Sequence, residues 1–133
     1  MISSERVGFI SHKFFSPFRC SILKISDHEL LVGADFTIVL IDYKKFQKIK
    51  EFDNDNSYAL FKLSDQYLLT SYGKGFLQIY KMSRDLNGQL ELKNVNKKKI
   101  LDYFVAGIAK LPDGKFMIFN MENSITVWYS KNI

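Results

Sequence analysis

Apolar residues in this chain fall in short runs that are separated by tight polar turns. In the first unit of this pattern the runs are residues 21–26, 29–33 and 37–42. The turns between them contain Asp27 and Asp35, a residue type that tolerates the left-handed backbone of a tight hairpin. The best candidate for a helix is the segment 94–105. Its apolar positions are contiguous rather than spaced by three and four, so it is predicted as strand end and loop. The pattern predicts antiparallel strands and no long helix.

The same unit recurs twice more along the chain. The matching runs are residues 58–64, 67–71 and 76–80 in the second copy, and 105–111, 115–119 and 124–129 in the third. A fourth run follows each of the first two copies, at residues 47–52 after the first and 90–95 after the second. Ile38, Leu77 and Ile125 are equivalent and lie 39 and 48 residues apart by subtraction, the longer spacing reflecting an insertion with the hairpin signal Asn87-Gly88. Four short strands repeated every ~40–45 residues are typical of propeller blades.

Two of the copies end in a known pattern. The segment 35–42, Asp-Phe-Thr-Ile-Val-Leu-Ile-Asp, resembles the Asp-x-Thr-Ile-x-Val-Trp-Asp end of a WD repeat, and residues 124–129 resemble it with Trp128 in the Trp position. The resemblance covers residues 20–133 and implies four-stranded blades around a central channel, acting as a platform for protein partners. Only Asp42 keeps the final acid, so the Asp–His network of typical repeats is expected to be absent.

The predicted fold is therefore all-β, a β-propeller-like arc of about three four-stranded antiparallel blades. The predicted divisions are 1–19 for an N-terminal segment with a candidate strand at 6–10, 20–56 for blade 1, 57–104 for blade 2, and 105–133 for blade 3, which lacks its fourth strand. Propellers close with about 4–8 blades. An open arc leaves blade faces uncovered, so we expect part of a larger propeller or one closed by self-association.

The resemblance also implies where partners bind. The surface expected to bind them is formed by loops between the second and third strands and between consecutive blades. Loops on a rigid frame are where binding residues concentrate. The predicted partner-binding residues are Asp35, Phe36, Asp53, Asn54, Asp55, Asn56, Gly73, Lys74, Gly75, Glu122 and Asn123.

The formal net charge of +5 comes almost entirely from lysine, since the arginines are only Arg6, Arg19 and Arg84. Base and phosphate readout favours the arginine fork, so nucleic acid is disfavoured as a partner. The run 97–99 has three lysines where lipid-binding clusters have about four to eight, and is interpreted as a solvated turn. No apolar run approaches the ~20 residues of a membrane helix, and no signal peptide is seen, so the default expectation is the cytoplasm or nucleus.

Enzyme and metal motifs are scarce in the sequence. The single cysteine, Cys20, cannot form an internal disulfide, and a Cys20–His28 dyad has no evident third group to orient it. Zinc ligand spacing is absent, and Gly73-Lys74-Gly75 leads into a strand instead of a helix, which indicates a hairpin turn rather than a phosphate loop. Residues 53–56 lack the mid-loop Gly and closing Glu of a calcium loop. No catalytic, cofactor or metal site is predicted.

Three alternatives stay open at this point. A β-rich hydrolase or transferase would use Cys20 or a carboxylate pair. A polyanion-binding module would use the lysines, and its binding would weaken strongly with salt. The aromatic segment 14–18 either covers an open blade edge or docks a partner. The favoured function is a protein-interaction scaffold.

Overall fold

The computed structural model of the protein describes residues 5, 8–11, 21–34, 37–53, 59–72, 74–120, 122 and 124–129. All regular structure in these residues is β-strand. The strands are β1 (Ser21–Lys24), β2 (Glu29–Ala34), β3 (Thr37–Asp42), β4 (Gln47–Asp53), β5 (Leu60–Lys62), β6 (Tyr67–Tyr72), β7 (Phe76–Arg84), β8 (Leu90–Lys99), β9 (Val105–Lys110), β10 (Lys115–Asn120) and β11 (Ile125–Tyr129).

The strands form three antiparallel meanders that follow the chain. Sheet 1 has the order β1-β2-β3-β4, sheet 2 the order β5-β6-β7-β8, and sheet 3 the order β9-β10-β11. The all-β prediction is confirmed, as is the grouping into consecutive antiparallel sheets of three or four strands. Sheet 3 has three strands in the described residues. The exact domain limits stay predictions.

The turn between the first two strands is built the same way in all three sheets. The amide nitrogens of Ile25, Leu63 and Leu111 each donate to a carbonyl oxygen four residues on, at 2.9 Å. In the first two sheets a serine completes the turn, because Ser26 Oγ accepts from the amide of His28 and Ser64 Oγ from that of Gln66. Serine hydroxyls stabilise such turns by bonding the backbone two residues on. The sequence repeat is therefore a repeat of backbone hydrogen bonds.

A β-bulge also recurs at equivalent positions. The register between β3 and β4 shifts at Leu40/Ile41, and the register between β7 and β8 shifts at Ile79/Tyr80. Both shifts lie at the same point of the third strand, so the outer strand carries one extra residue in each sheet. Bulges of this kind bend the strand and increase the local twist. Sheets 1 and 2 therefore share one irregularity at equivalent positions.

Each sheet has two faces, which we name by their neighbours along the chain. The forward face carries Leu31, Ile38 and Leu40 in sheet 1 and the equivalent positions in the other sheets, and in sheets 1 and 2 it points towards the next sheet. The backward face is the other face of each sheet, and in sheets 2 and 3 it points towards the preceding sheet. The forward face of sheet 1 and the backward face of sheet 2 share one apolar cluster: Leu31, Ile38, Leu40, Leu60, Leu68, Met82 and Leu90. The forward face of sheet 2 and the backward face of sheet 3 share another: Ala59, Leu69, Leu77, Val105, Phe116 and Ile118. Burial between sheets, rather than within one, is the main apolar contact of the fold.

Sheet 2 departs from the sequence prediction along its last two strands. β7 continues to Arg84 and β8 to Lys99, so the predicted insertion shrinks to a turn at residues 85–89. The interpretation of residues 97–99 as a solvated turn was wrong, because their backbone pairs with Phe76–Gln78. Lysine has low strand propensity, and here pairing with an already formed neighbour overrides it. In the N-terminal candidate strand at 6–10, the described residues 8–10 are not in a strand and the others lie outside the described residues.

Candidate functional site: interaction surfaces of the arc

The predicted binding loops all belong to one end of the sheets, which we call the loop end. It carries the turns β2–β3, β6–β7 and β10–β11 and the chain that leaves β4 and β8. Asp53 pairs in register with Thr37 there, and Lys74, Gly75 and Glu122 lie in the two later turns. The other predicted residues lie outside the described residues: Asp35, Phe36, Asn54, Asp55, Asn56, Gly73 and Asn123.

The β6–β7 turn is held against the chain that follows sheet 2. Gly75 has a φ of 84°, a left-handed conformation that glycine adopts without strain. Its carbonyl oxygen accepts hydrogen bonds from the amides of Ile100 at 2.9 Å and Leu101 at 3.2 Å. A Cβ on Gly75 would lie 1.8 Å from the Leu101 carbonyl oxygen, so only glycine allows this approach. The exposed Lys74 is thereby presented on a fixed turn.

The β10–β11 turn is capped by one side chain. Asn120 is buried, and its Oδ1 accepts from the amides of Glu122 at 2.9 Å and Ser124 at 3.3 Å. Its Nδ2 donates to Ser124 Oγ at 2.6 Å. An asparagine side chain that bonds the following backbone in this way mimics a backbone turn. Glu122 is exposed on top of this turn, so a fixed acid stands at the same end as the fixed Lys74.

The opposite end of the sheets carries an ion pair between the buried Glu29 and the exposed Arg84, which the sequence did not predict. Arg84 Nη1 donates to Glu29 Oε2 at 3.0 Å, and Arg84 Nη2 to Glu29 Oε1 at 2.7 Å, from sheet 2 to sheet 1. Ser26 Oγ adds a third hydrogen bond to Glu29 at 2.8 Å. The Arg84 hydrogen bonds, and then that of Ser26, hold the pKa of Glu29 below its ordinary value although burial opposes them. Bidentate pairing fixes geometry as well as charge.

Asp42, the acid that survives from the WD-like pattern, serves its own turn. Its Oδ1 accepts from the backbone amides of Lys44 at 3.0 Å and Lys45 at 2.9 Å. The hydrogen bond from Lys45, followed by that from Lys44, holds the pKa of Asp42 below its ordinary value. This contact starts the β3–β4 turn. Neither hydrogen bond to Asp42 Oδ1 comes from a histidine.

A cleft of about 150 Å³ lies between sheets 1 and 2 at this opposite end. Its lining is mixed: Ile25, Lys62, Asp65, Met82, Ser83, Arg84 and Leu90. Lys62 pairs with the exposed Asp65 at 3.2 Å, and Lys50 of β4 pairs with Glu91 of β8 at 2.9 Å. Such half-exposed pairs contribute little stability, about 0–1 kcal/mol each. Only the Lys50–Glu91 pair joins the two sheets, because Lys62 and Asp65 both belong to sheet 2.

The forward face of sheet 3 is apolar and open in the described part of the chain. Ile125 and Val127 of β11 are 53% and 57% exposed, whereas the equivalent Ile38 and Leu40 of sheet 1 are fully buried and Leu77 of sheet 2 is 1% exposed. Val127 pairs with Met117, so these side chains share one face. Phe119 stands beside them and a groove of about 280 Å³ runs along β9 and β10. An exposed apolar patch of this kind is a candidate interaction surface.

The backward face of sheet 1 is covered in part. Ile10 packs on Val32, Val39 and Ile41, which are buried. Beside them an apolar groove of about 300 Å³ remains open, lined by Ile10, Ile22, Leu30, Val32, Ile41, Tyr43 and Phe46. Ile22 is 63% exposed at its edge. The two ends of the arc therefore both present apolar side chains.

The structure describes one of the two residues considered for a Cys20–His28 dyad. His28 is exposed in the β1–β2 turn, and Cys20 and His12 lie outside the described residues. Among the residues that the structure describes, no three His, Cys, Asp or Glu side chains are grouped so that they could hold a metal ion. The described part of the chain contains no helix of the length and apolarity needed to cross a membrane.

Comparisons with known proteins agree with this architecture. No family model and no curated protein matches the chain. Among solved structures it is similar to Sqt1 from Chaetomium thermophilum, a WD40 protein, with a TM-score of 0.59 and 17% identity over 90% of the chain. It is similar to Kuenenia stuttgartiensis hydrazine synthase with a TM-score of 0.59 and 15% identity over 99% of the chain. The chain spans 35% and 37% of the lengths of these two proteins. Its fold is a propeller-like β fold.

Proposed function

We propose that this chain is a protein-interaction scaffold built from WD-repeat-like propeller blades, and not an enzyme. The observation that carries the proposal is the pair of fixed turns at the loop end. Gly75 and Asn120 hold Lys74 and Glu122 in place through backbone hydrogen bonds. Binding residues on turns that are already ordered lose little conformational entropy when a partner docks.

Packing of the sheets supports the same function. Two apolar clusters join the three sheets side by side, so turns from different sheets keep fixed positions relative to one another. A partner can then read several turns at once, which is how loops on a rigid frame gain specificity. We further propose that the three sheets are part of a larger or self-assembled propeller, and that the protein works in the cytoplasm or nucleus.

The test is quantitative capture of partner proteins by the full chain. The variant pair Lys74→Glu and Glu122→Lys reverses the charges of these two side chains without touching the hydrogen bonds that form the turns. Charges at the rim of an interface affect its affinity. We therefore expect the affinity for the specific partners to fall about tenfold, or by about 1.4 kcal/mol.

Lys93→Glu is the matched control, since Lys93 is an exposed lysine on the outer strand β8, away from the loop end. It makes a charge reversal of the same kind as Lys74→Glu and should leave capture unchanged. Equal loss of partners in the control and in the loop variants would show general electrostatic attraction and would contradict a binding surface at the loop end.

A further inference from the structure

The contact between sheets follows one rule in this chain. A forward face always packs on a backward face, first from sheet 1 to sheet 2 and then from sheet 2 to sheet 3. The positions used are equivalent each time: Leu31, Ile38 and Leu40 in sheet 1 correspond to Leu69, Leu77 and Ile79 in sheet 2. In sheet 3 the same positions are Met117, Ile125 and Val127, and no described residue covers the last two. This face is a third copy of a surface that twice packs on a backward face.

The complementary surface exists on the same molecule. The open groove on sheet 1 is lined by Ile22, Leu30 and Ile41. The equivalent residues of sheet 2, Leu60, Leu68 and Tyr80, are those that receive the forward face of sheet 1. Ile10 packs on Val32, Val39 and Ile41, and the groove beside it is lined by Ile22 and Leu30 together with Ile41. The groove therefore lies where a forward face would insert its side chains.

We infer that two copies of the 133-residue chain associate head to tail, with the forward face of sheet 3 of each copy on the backward face of sheet 1 of the other. This inference rests on the proposed propeller scaffold and names its partner as a second copy. The two contacts close a ring of six sheets, within the range of about 4–8 blades that propellers use, whereas three copies would give nine. A heterologous contact that closes in this way forms a finite assembly and not a fibre.

The charges of the two faces give the association a particular salt dependence. Lys115 borders the forward face of sheet 3 and Lys24 borders the backward face of sheet 1, where Lys48 is paired with Glu51 at 2.7 Å and adds no net charge. Each copy also has a formal net charge of +5. The contact is thus driven by apolar burial against electrostatic repulsion, and salt, which screens the repulsion, should strengthen it.

The experiment is the mass of the purified full chain in solution by sedimentation and light scattering. We expect twice the chain mass of 15.5 kDa, with a dissociation constant that falls as NaCl rises from about 0.05 to about 0.5 M. Val127→Glu places a charge on the forward face of sheet 3, and Ile22→Glu places one on the backward face of sheet 1. Each variant should be a monomer that keeps its β-sheet circular dichroism. Ile125→Lys replaces Val127→Glu if that variant fails to fold.

Mixing the two variants decides the geometry. Val127→Glu retains an intact sheet 1 face and Ile22→Glu an intact sheet 3 face, so one head-to-tail contact is restored and the mixture should contain heterodimer. Leu86→Glu is the control, because Leu86 is fully exposed in the β7–β8 turn and borders neither face, and it should remain a dimer. A dimer that is insensitive to Ile22→Glu would overturn the inference, and if Val127→Glu abolished that dimer, the two copies would be joined sheet 3 to sheet 3.

A wild-type chain that stays monomeric at all salt concentrations would also overturn it. If that monomer is β-rich, melts cooperatively and still loses its captured partners with the Lys74 and Glu122 variants, the scaffold stands without self-association. If those partners are not lost either, the proposed function fails separately. The two results are distinguishable because the loop end and the two open faces are different surfaces.

Discussion

Glu29 at the start of β2 and Arg84 at the end of β7 form a bidentate ion pair across the boundary between sheets 1 and 2, with N–O distances of 3.0 and 2.7 Å. The Glu29 side chain is only 5% exposed. Arg84 is also held by the carbonyl oxygen of Gly88 at 3.3 Å, so the β7–β8 turn positions the guanidinium. The ion pair lies between the two sheets at the end away from the loop end. The centre of the same interface is the apolar cluster that contains Leu31 and Leu68.

Removing the arginine should destabilise the protein. Arg84→Met leaves the buried Glu29 carboxylate with only the Ser26 hydroxyl, and we expect a loss of about 1–3 kcal/mol in the free energy of unfolding. The measurement is urea unfolding near neutral pH. Lys48→Met is the control, because it removes an exposed lysine paired with Glu51 and should change stability by about 0.5 kcal/mol or less.

A double variant separates the pair from its surroundings. Because Glu29→Met removes the carboxylate that Arg84→Met leaves without a cation, the double variant should cost less than the sum of the two single variants. Strict additivity would mean that the contact between Glu29 and Arg84 contributes nothing of its own.

Stability should also depend on pH through Glu29. The folded-state pKa of Glu29 lies below its ordinary value of 4.5, so the carboxylate stabilises the folded state above that pH, and the contribution is lost as pH falls through the folded pKa. The melting-temperature difference between the wild type and Glu29→Gln should shrink as pH falls below 4.5 and through the folded-state pKa of Glu29. Asp42 titrates in both proteins, so its effect cancels in the difference. A difference that grows on acidification would refute this assignment.

The repeat explains how much of the fold was predictable. Turn residues such as Asp113-Gly114 and Asn87-Gly88 marked the hairpins, and the apolar positions of the third strands aligned Ile38, Leu77 and Ile125 across the copies. Asp113, Gly88 and Gly114 indeed have positive φ values in the structure. These signals are local, and a tight turn between two alternating runs largely determines its own hairpin.

The features that were missed depend on contacts distant in sequence. Lys97 to Lys99 have low strand propensity, and only pairing with β7 makes them a strand. Glu29 and Arg84 are 55 residues apart and meet through the packing of two sheets. The sequence signal for this ion pair was weak: Arg84 is one of three arginines among the 19 basic residues of the chain. For the predicted site, the structure describes Asp53, Lys74, Gly75 and Glu122.

Two glycines with similar backbone angles should respond differently to alanine. Gly75 and Gly88 have φ values of 84° and 76°. A Cβ on Gly88 meets nothing within 4 Å, so Gly88→Ala should cost only the left-handed strain of about 1 kcal/mol. A Cβ on Gly75 would lie 1.8 Å from the Leu101 carbonyl oxygen, so Gly75→Ala should cost about 3 kcal/mol or more. Urea unfolding of both variants checks this, and equal losses would contradict the close approach at Gly75.

Two threonines differ in whether the side-chain hydroxyl has a hydrogen-bond partner. Thr70 is fully buried in β6, and its Oγ1 has no hydrogen-bond partner among the described residues. Valine has nearly the same shape and no hydroxyl to desolvate, so Thr70→Val should leave stability unchanged or raise it by about 1 kcal/mol.

Thr126 is the matched comparison, because its Oγ1 accepts a hydrogen bond from Trp128 Nε1 at 2.7 Å. Thr126→Val removes that acceptor and should lower the free energy of unfolding by about 0.5–1.5 kcal/mol. Thermal and urea unfolding of the two variants measure the difference in sign. Destabilisation by Thr70→Val as large as that by Thr126→Val would mean that the Thr70 hydroxyl has a partner in the folded protein, and the packing of sheet 2 around β6 would have to be revised accordingly.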